Sequence, residues 1–187
     1  GTGVTISTTS GVATFRSGRI DVGDSLYNTS IGEQAGDAYT TGSRNAAVGY
    51  QALSNATTGA YNTGVGMQAL EPLTTGDYNT AVGAYALATN TTADHNTAVG
   101  GRALISNTTG STNTAVGSYA LTTNTTGASN TAVGKGALLA NTTGSNNAAV
   151  GYNCLDASTT GNYNVAMGDD ALGANTIGSE NIAVGYH

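Results

Sequence analysis

Side chains able to run acid–base, metal or nucleophilic chemistry are few in these 187 residues: two histidines, one cysteine and eleven acids. The acids (Asp21, Asp24, Glu33, Asp37, Glu71, Asp77, Asp94, Asp156, Asp169, Asp170 and Glu180) are dispersed, whereas glycoside cleavage needs two carboxylates in one groove. Asp169 and Asp170 are the one adjacent pair, and neighbours on a strand point to opposite faces. A calcium site wants several converging oxygens, and the acids do not fill one slot from repeat to repeat. No H-E-x-x-H, C-x-x-C, G-x-S-x-G or P-loop spacing occurs. A lone cysteine, Cys154, excludes an intrachain disulfide framework and reads as a small buried apolar residue. His95 stands where Tyr61, Tyr78 and Tyr163 stand elsewhere, which marks a surface replacement, not a ligand. The expectation is a chain with no catalytic residues, no cofactor and no metal.

Tyrosines offer a different chemistry. Tyr50, Tyr85, Tyr119 and Tyr152 follow a recurring glycine, and Tyr39, Tyr61, Tyr78 and Tyr163 lie near a second turn. Such rings can stack on the apolar faces of sugars, so the first four are candidate glycan contacts. The alternative is that they shield edges or pack between chains. Net charge is −6, and the five basic residues (Arg16, Arg19, Arg44, Arg102, Lys135) are scattered. Nucleic-acid binding, which needs clustered cations, is not expected. Membrane insertion is not expected either, because no run approaches the roughly 20 apolar residues of a span. No signal peptide is visible. Only 9% of residues are charged against about 25% ordinarily, so Asn, Thr and Ser supply the polar surface.

What must position these groups is a tandem repeat. Stepping by 17 from Asn28 lands on Asn45, Asn62, Asn79, Asn96, Asn113, Asn130, Asn147, Asn164 and Asn181, without insertion or deletion. Numbering each unit from its asparagine as slot 1, slot 4 is Ile31, then valine or Met167. Slot 5 is always glycine, from Gly32 to Gly185. Slot 8 is alanine with Cys154 as the substitute, and slot 9 is leucine with Gly36 as the exception. Slot 13 is threonine, and slot 15 is glycine except at Ala93. The consensus is N-T-A-V-G-x-x-A-L-x-x-N-T-T-G-x-x, with Asn96, Val99, Gly100, Leu104, Thr108 and Gly110 marking it in one unit.

Seventeen residues is too short for a paired-helix repeat, and Val, Thr, Asn and Gly make poor helices. Slots 1–4 read as a short strand closed by a glycine with positive φ. Slots 8–9 read as a single helical or 3₁₀ turn or a second short strand, and slots 12–15 as a strand end and turn. One unit is then one coil, stacked about 4.8 Å from the next. The fold class expected is all-β: a β-solenoid (β-roll or β-prism) of 17-residue coils. In register, asparagines can bond along the stack, and valine and leucine are expected to form two apolar columns. A core so thin points to completion by neighbouring chains, hence a homotrimeric fibre. Residues 28–187 hold nine full repeats and part of a tenth; 1–27, with alternation at Val4–Ser7 and Val12–Phe15, read as a lead-in or cap. Because the chain ends inside a repeat, it is expected to be a fragment.

The motif N-T-A-V-G-x-x-A-L with N-T-T-G, over roughly 28–187, resembles repeats of bacteriophage tail-fibre and related virion proteins. It is more distantly similar to the head repeats of trimeric autotransporter adhesins, whose period is shorter. The resemblance implies a trimeric fibre exposed outside the cell or on a virion, engaging a cell-surface glycan or protein receptor. A different class of function is ice binding through a repeated Thr array, such as Thr91-Thr92, Thr108-Thr109 and Thr125-Thr126. Adjacent threonines on a strand would face opposite ways, and two Thr columns separated by one inward residue are not evident. An enzyme on a β-helix scaffold and a purely structural filament are the remaining readings.

Overall fold

The computed structural model of the chain describes residues 26–186; all but the last two residues of the lead-in expected over 1–27 lie outside them. It is a β-solenoid, as the 17-residue period predicts. Its ten strands are β1 (Thr29–Ile31), β2 (Ala46–Val48), β3 (Thr63–Val65), β4 (Thr80–Val82), β5 (Thr97–Val99), β6 (Thr114–Val116), β7 (Thr131–Val133), β8 (Ala148–Val150), β9 (Val165–Met167) and β10 (Ile182–Val184). They form one parallel sheet in chain order. Every neighbouring pair is offset by 17 residues, as in Thr97↔Thr114 and Val99↔Val116. The rest of each coil is turns and bends rather than a helical turn or second strand. Bonds between coils continue there, for example Leu104 N–H to Ala120 C=O at 3.0 Å and Thr108 N–H to Thr125 C=O at 2.9 Å.

Two corners require special backbone. Gly100, at the slot 5 corner, has φ +133°, and a Cβ there would lie 2.6 Å from the carbonyl carbon of Gly117 one coil on. Glycine is therefore needed both for conformation and for the approach of adjacent coils. Leucine at slot 9 also has positive φ, between 50° and 57° from Leu53 to Leu172, a left-handed region that disfavours L-residues by roughly 1–2 kcal/mol. Burial of the side chain, complete from Leu53 to Leu155, and the inter-coil backbone bond hold it there.

The interior corrects one expectation. Slot 9 leucine does form a buried column, but slot 4 valine does not. Val82, Val116, Val133 and Val150 are 36–38% exposed and point outward. The inward strand residue is slot 3: Ala47, Ala81, Ala98, Ala115, Ala132 and Ala149 are fully buried. Sidedness is set by slot 1. Asn45 to Asn164 are buried, and each Oδ1 accepts the backbone N–H of the next coil's asparagine at 2.8–3.0 Å. Side chains alternate along a strand, so an inward asparagine puts alanine inside and threonine and valine outside. The asparagine Nδ2 donates to the slot 15 carbonyl of its own unit at 2.8 Å, as in Asn45 to Gly59 and Asn113 to Gly127.

A second amide ladder runs through slot 12. Asn124 donates to Asn107, and Asn141 to Asn124, both Nδ2 to Oδ1 at 2.8 Å. It stops at Ser158, whose shorter side chain leaves its own Oγ and the Asn141 Oδ1 buried without partners.

Two predictions follow from these interiors. Ser158→Asn should extend the slot 12 ladder and satisfy Asn141, raising stability by about 1–3 kcal/mol; an unchanged or lower urea midpoint would contradict it. Gly100→Ala should lose at least the roughly 1–3 kcal/mol of a non-glycine residue held at that φ, read from the same unfolding curve.

Candidate functional site

The tyrosines singled out by sequence fall into two columns. Tyr50 and Tyr152 occupy slot 6, six coils apart, which is about 29 Å at the usual inter-strand spacing. Tyr85 and Tyr119 occupy slot 7, two coils apart, with Arg102 between them. The Arg102 guanidinium carbon lies 5.9 Å from the Tyr85 ring centre and 5.8 Å from that of Tyr119. Both rings thus turn one face toward a cation. Lys135 sits likewise against Tyr152, at 5.7 Å. The four rings are not gathered into one site, and three of them have a face engaged within the chain.

A longer aromatic row forms at slot 17, the shared slot of Tyr61, Tyr78, His95 and Tyr163. Tyr61 and Tyr78 stack with centroids 4.8 Å apart and planes 6° off parallel, and His95 continues the stack at 5.0 Å. Arg44 caps it, 5.2 Å from Tyr61 and 5.6 Å from Tyr27. The signal was present: a 17-residue step that keeps aromatics in one slot stacks them at the coil spacing. His95 is an exposed member of this row, in keeping with its reading as a surface replacement.

Slot 16 is another feature the sequence reading passed over. Its short polar side chains take the slot 16 backbone N–H of the preceding coil: Ala60 to Asp77 Oδ1 at 2.7 Å, Asp77 to Asp94 Oδ1 at 2.8 Å and Ser145 to Asn162 Oδ1 at 2.8 Å. Two of the acids are thereby structural acceptors. Asp169 and Asp170 lie in the turn after β9, not on a strand. Burial, and then the neighbouring Asp170, hold the Asp156 carboxyl above the usual range. Burial likewise pushes the Cys154 thiol up, and Cys154 fills its alanine slot fully buried.

The threonine pairs differ from the strand geometry expected of them. Slots 13 and 14 lie on a bend, so Thr91-Thr92 and Thr108-Thr109 are both exposed. The slot 13 hydroxyls are nonetheless used along the stack: Thr108 Oγ1 donates to the Thr125 carbonyl at 3.0 Å, and Thr125 to Thr142 at 3.0 Å. Of the Asn-x-Ser/Thr sequences, Asn28, Asn107, Asn124 and Asn141 are buried in the ladders, Asn90 is buried with its amide bonded to Ala93 of its own coil, and Asn55 is exposed.

The outward face of the sheet is a second regular surface, in addition to the threonine columns of slots 13 and 14. Slot 2 presents threonine in six of ten strands, with Ala46, Ala148, Val165 and Ile182 in the others. Slot 4 presents Ile31, valines and Met167. Neither column holds a charged residue. Hollows elsewhere are small: about 230 Å³ beside Gln34, Asp37, Gln51 and Glu71, and about 310 Å³ beside Leu172 and Ala183 at the β10 end. No helix among the described residues is long and apolar enough to cross a membrane. Compared with known protein families, with curated proteins and with solved structures, the chain shows no match.

Proposed function

We propose that the chain is a non-enzymatic structural and adhesive fibre module, of a phage tail, virion or cell-surface adhesin, which works as a homotrimer. The observation that carries this reading is the unbroken 17-residue register from β1 to β10. A solenoid of about nine turns at ~4.8 Å each is a rod roughly 45 Å long. Inter-coil hydrogen bonds run along its axis, so it resists bending and extension. A rod of that kind carries a distal element away from a surface. Its repeated outer slots present the same side chains again and again, which favours many weak contacts over one deep site. The resemblance to virion fibre repeats supports an extracellular or virion-surface location and a glycan or protein receptor.

One observation favours ice binding as a second reading. Besides the Thr-Thr columns of slots 13 and 14, which reach the surface, the sheet adds an uncharged face with a threonine column and a valine column two residues apart across an inward alanine.

Both readings are tested on one preparation. Beads densely coated with the chain should bind host cells or a glycan panel, with affinity falling more than tenfold for the soluble chain, the signature of multivalency. Thermal hysteresis should be absent. Hysteresis without cell or glycan binding would replace the fibre reading with the ice-binding one.

A further inference from the structure

Resting on the fibre reading, we infer that the outward face of β1–β10 is where copies of this chain meet, in parallel and in register, with the face turned toward the fibre axis. The face is uncharged in both columns along all ten strands, while the chain carries a net charge of −6. Identical chains repel wherever like charges are brought together, and the two columns of this face bring none together. It is also apolar and open along the stacked coils: Val82, Val116, Val133 and Val150 are 36–38% exposed, and Met167 50%. A valine column repeating at the coil spacing is matched along its whole length by a second copy of itself. Counting its flanks, the face is about 45 Å by 20 Å, roughly 900 Å² per chain divided between two neighbours, or about 2,700 Å² over three chains against about 1,600 Å² in all for a stable two-chain interface.

The flanks carry the orientation. Slot 17 borders the face where the chain enters each strand, and slot 6 where it leaves. In a parallel ring, slot 17 of one copy meets slot 6 of the next at the same level. At the β1 and β2 levels this sets Tyr27 against Glu33 and Arg44 against Tyr50. At β9 and β10 it sets Tyr163 against Asp169 and Glu180 against Tyr186. Four of the five charged flank residues thus face a tyrosine able to donate a hydrogen bond or offer a ring face, and the fifth, Lys135, faces Ser129. No level opposes like charges. At two levels a large ring meets a small residue: Tyr78 falls opposite Ala84, and His95 opposite Gly101.

The test uses the full chain. Light scattering should give three times the 18.4 kDa chain mass. Val116→Asp, outward in the single chain, should reduce it to one chain while the circular dichroism is retained. For register, Ser129→Cys and Lys135→Cys are combined in a Cys154→Ala background, alanine being the usual residue of that slot. Within one chain these positions flank β7, roughly 15–20 Å apart, too far for a disulfide. Oxidation should therefore give covalent trimers on a denaturing gel, and Ser129→Cys alone should give monomers. A trimeric mass that survives Val116→Asp, with no cross-linking, would place the contact elsewhere and overturn the inference while leaving the fibre reading intact. A monomeric parent chain would also overturn it, and the bead-binding result would then decide the fibre reading separately.

Discussion

Each coil starts with an asparagine that bonds in three directions. Its Oδ1 takes the backbone N–H of the next asparagine along the stack, its Nδ2 reaches a carbonyl at the far end of its own coil, and its backbone C=O accepts the slot 2 N–H of the coil before. A buried amide left unpaired costs about 1–3 kcal/mol, so the residue is tolerated inside only because every coil repeats the arrangement. The 17-residue period, the inward alanine and the outward threonine and valine all follow from keeping this asparagine in register. Ordinary solenoids fill their interior with apolar side chains. Here alanine, leucine and two amide rows share it, and the backbone spacing of the sheet sets the amide spacing.

The same constraint explains where strain is accepted. A coil must close in 17 residues around a narrow interior, so slots 7, 9 and 17 adopt positive φ in non-glycine residues such as Arg102, Leu104 and Thr112. No single coil could hold these conformations alone. Stacking supplies an acceptor for each of those N–H groups on the neighbouring coil: Arg102 on Ala84, Leu104 on Ala120 and Thr112 on Asp94. Stability is therefore a property of neighbouring pairs, as in other repeat arrays, and the rod is rigid for the reason that it is stable.

Much of this was legible in the sequence. Ten asparagines and ten glycines at a step of 17 are enough to predict stacked coils, a positive-φ corner and an amide ladder. The error over valine was one of parity. Reading hydrophobicity places Val99 in an inward column, whereas Asn96 can ladder only from within, and along the strand Val99 lies on the side opposite Asn96 and Ala98. The turns were less legible because left-handed leucine has no signature in residue type. The stacked Tyr61, Tyr78 and His95 and the slot 16 acceptors needed only the rule that equal slots superpose. Function was least legible: the outer slots that repeat, 2, 4, 13 and 14, carry uncharged side chains that name no partner, while the tyrosines and charges lie in slots that vary.

Amide hydrogen exchange at the slot 1 asparagines tests the central claim most directly. The account predicts slow exchange of the backbone N–H from Asn62 to Asn147, comparable with the strand amides beside them and falling toward both ends of the rod. Fast exchange there, with the strand amides still protected, would mean that the asparagine ladder is not what holds the coils in register.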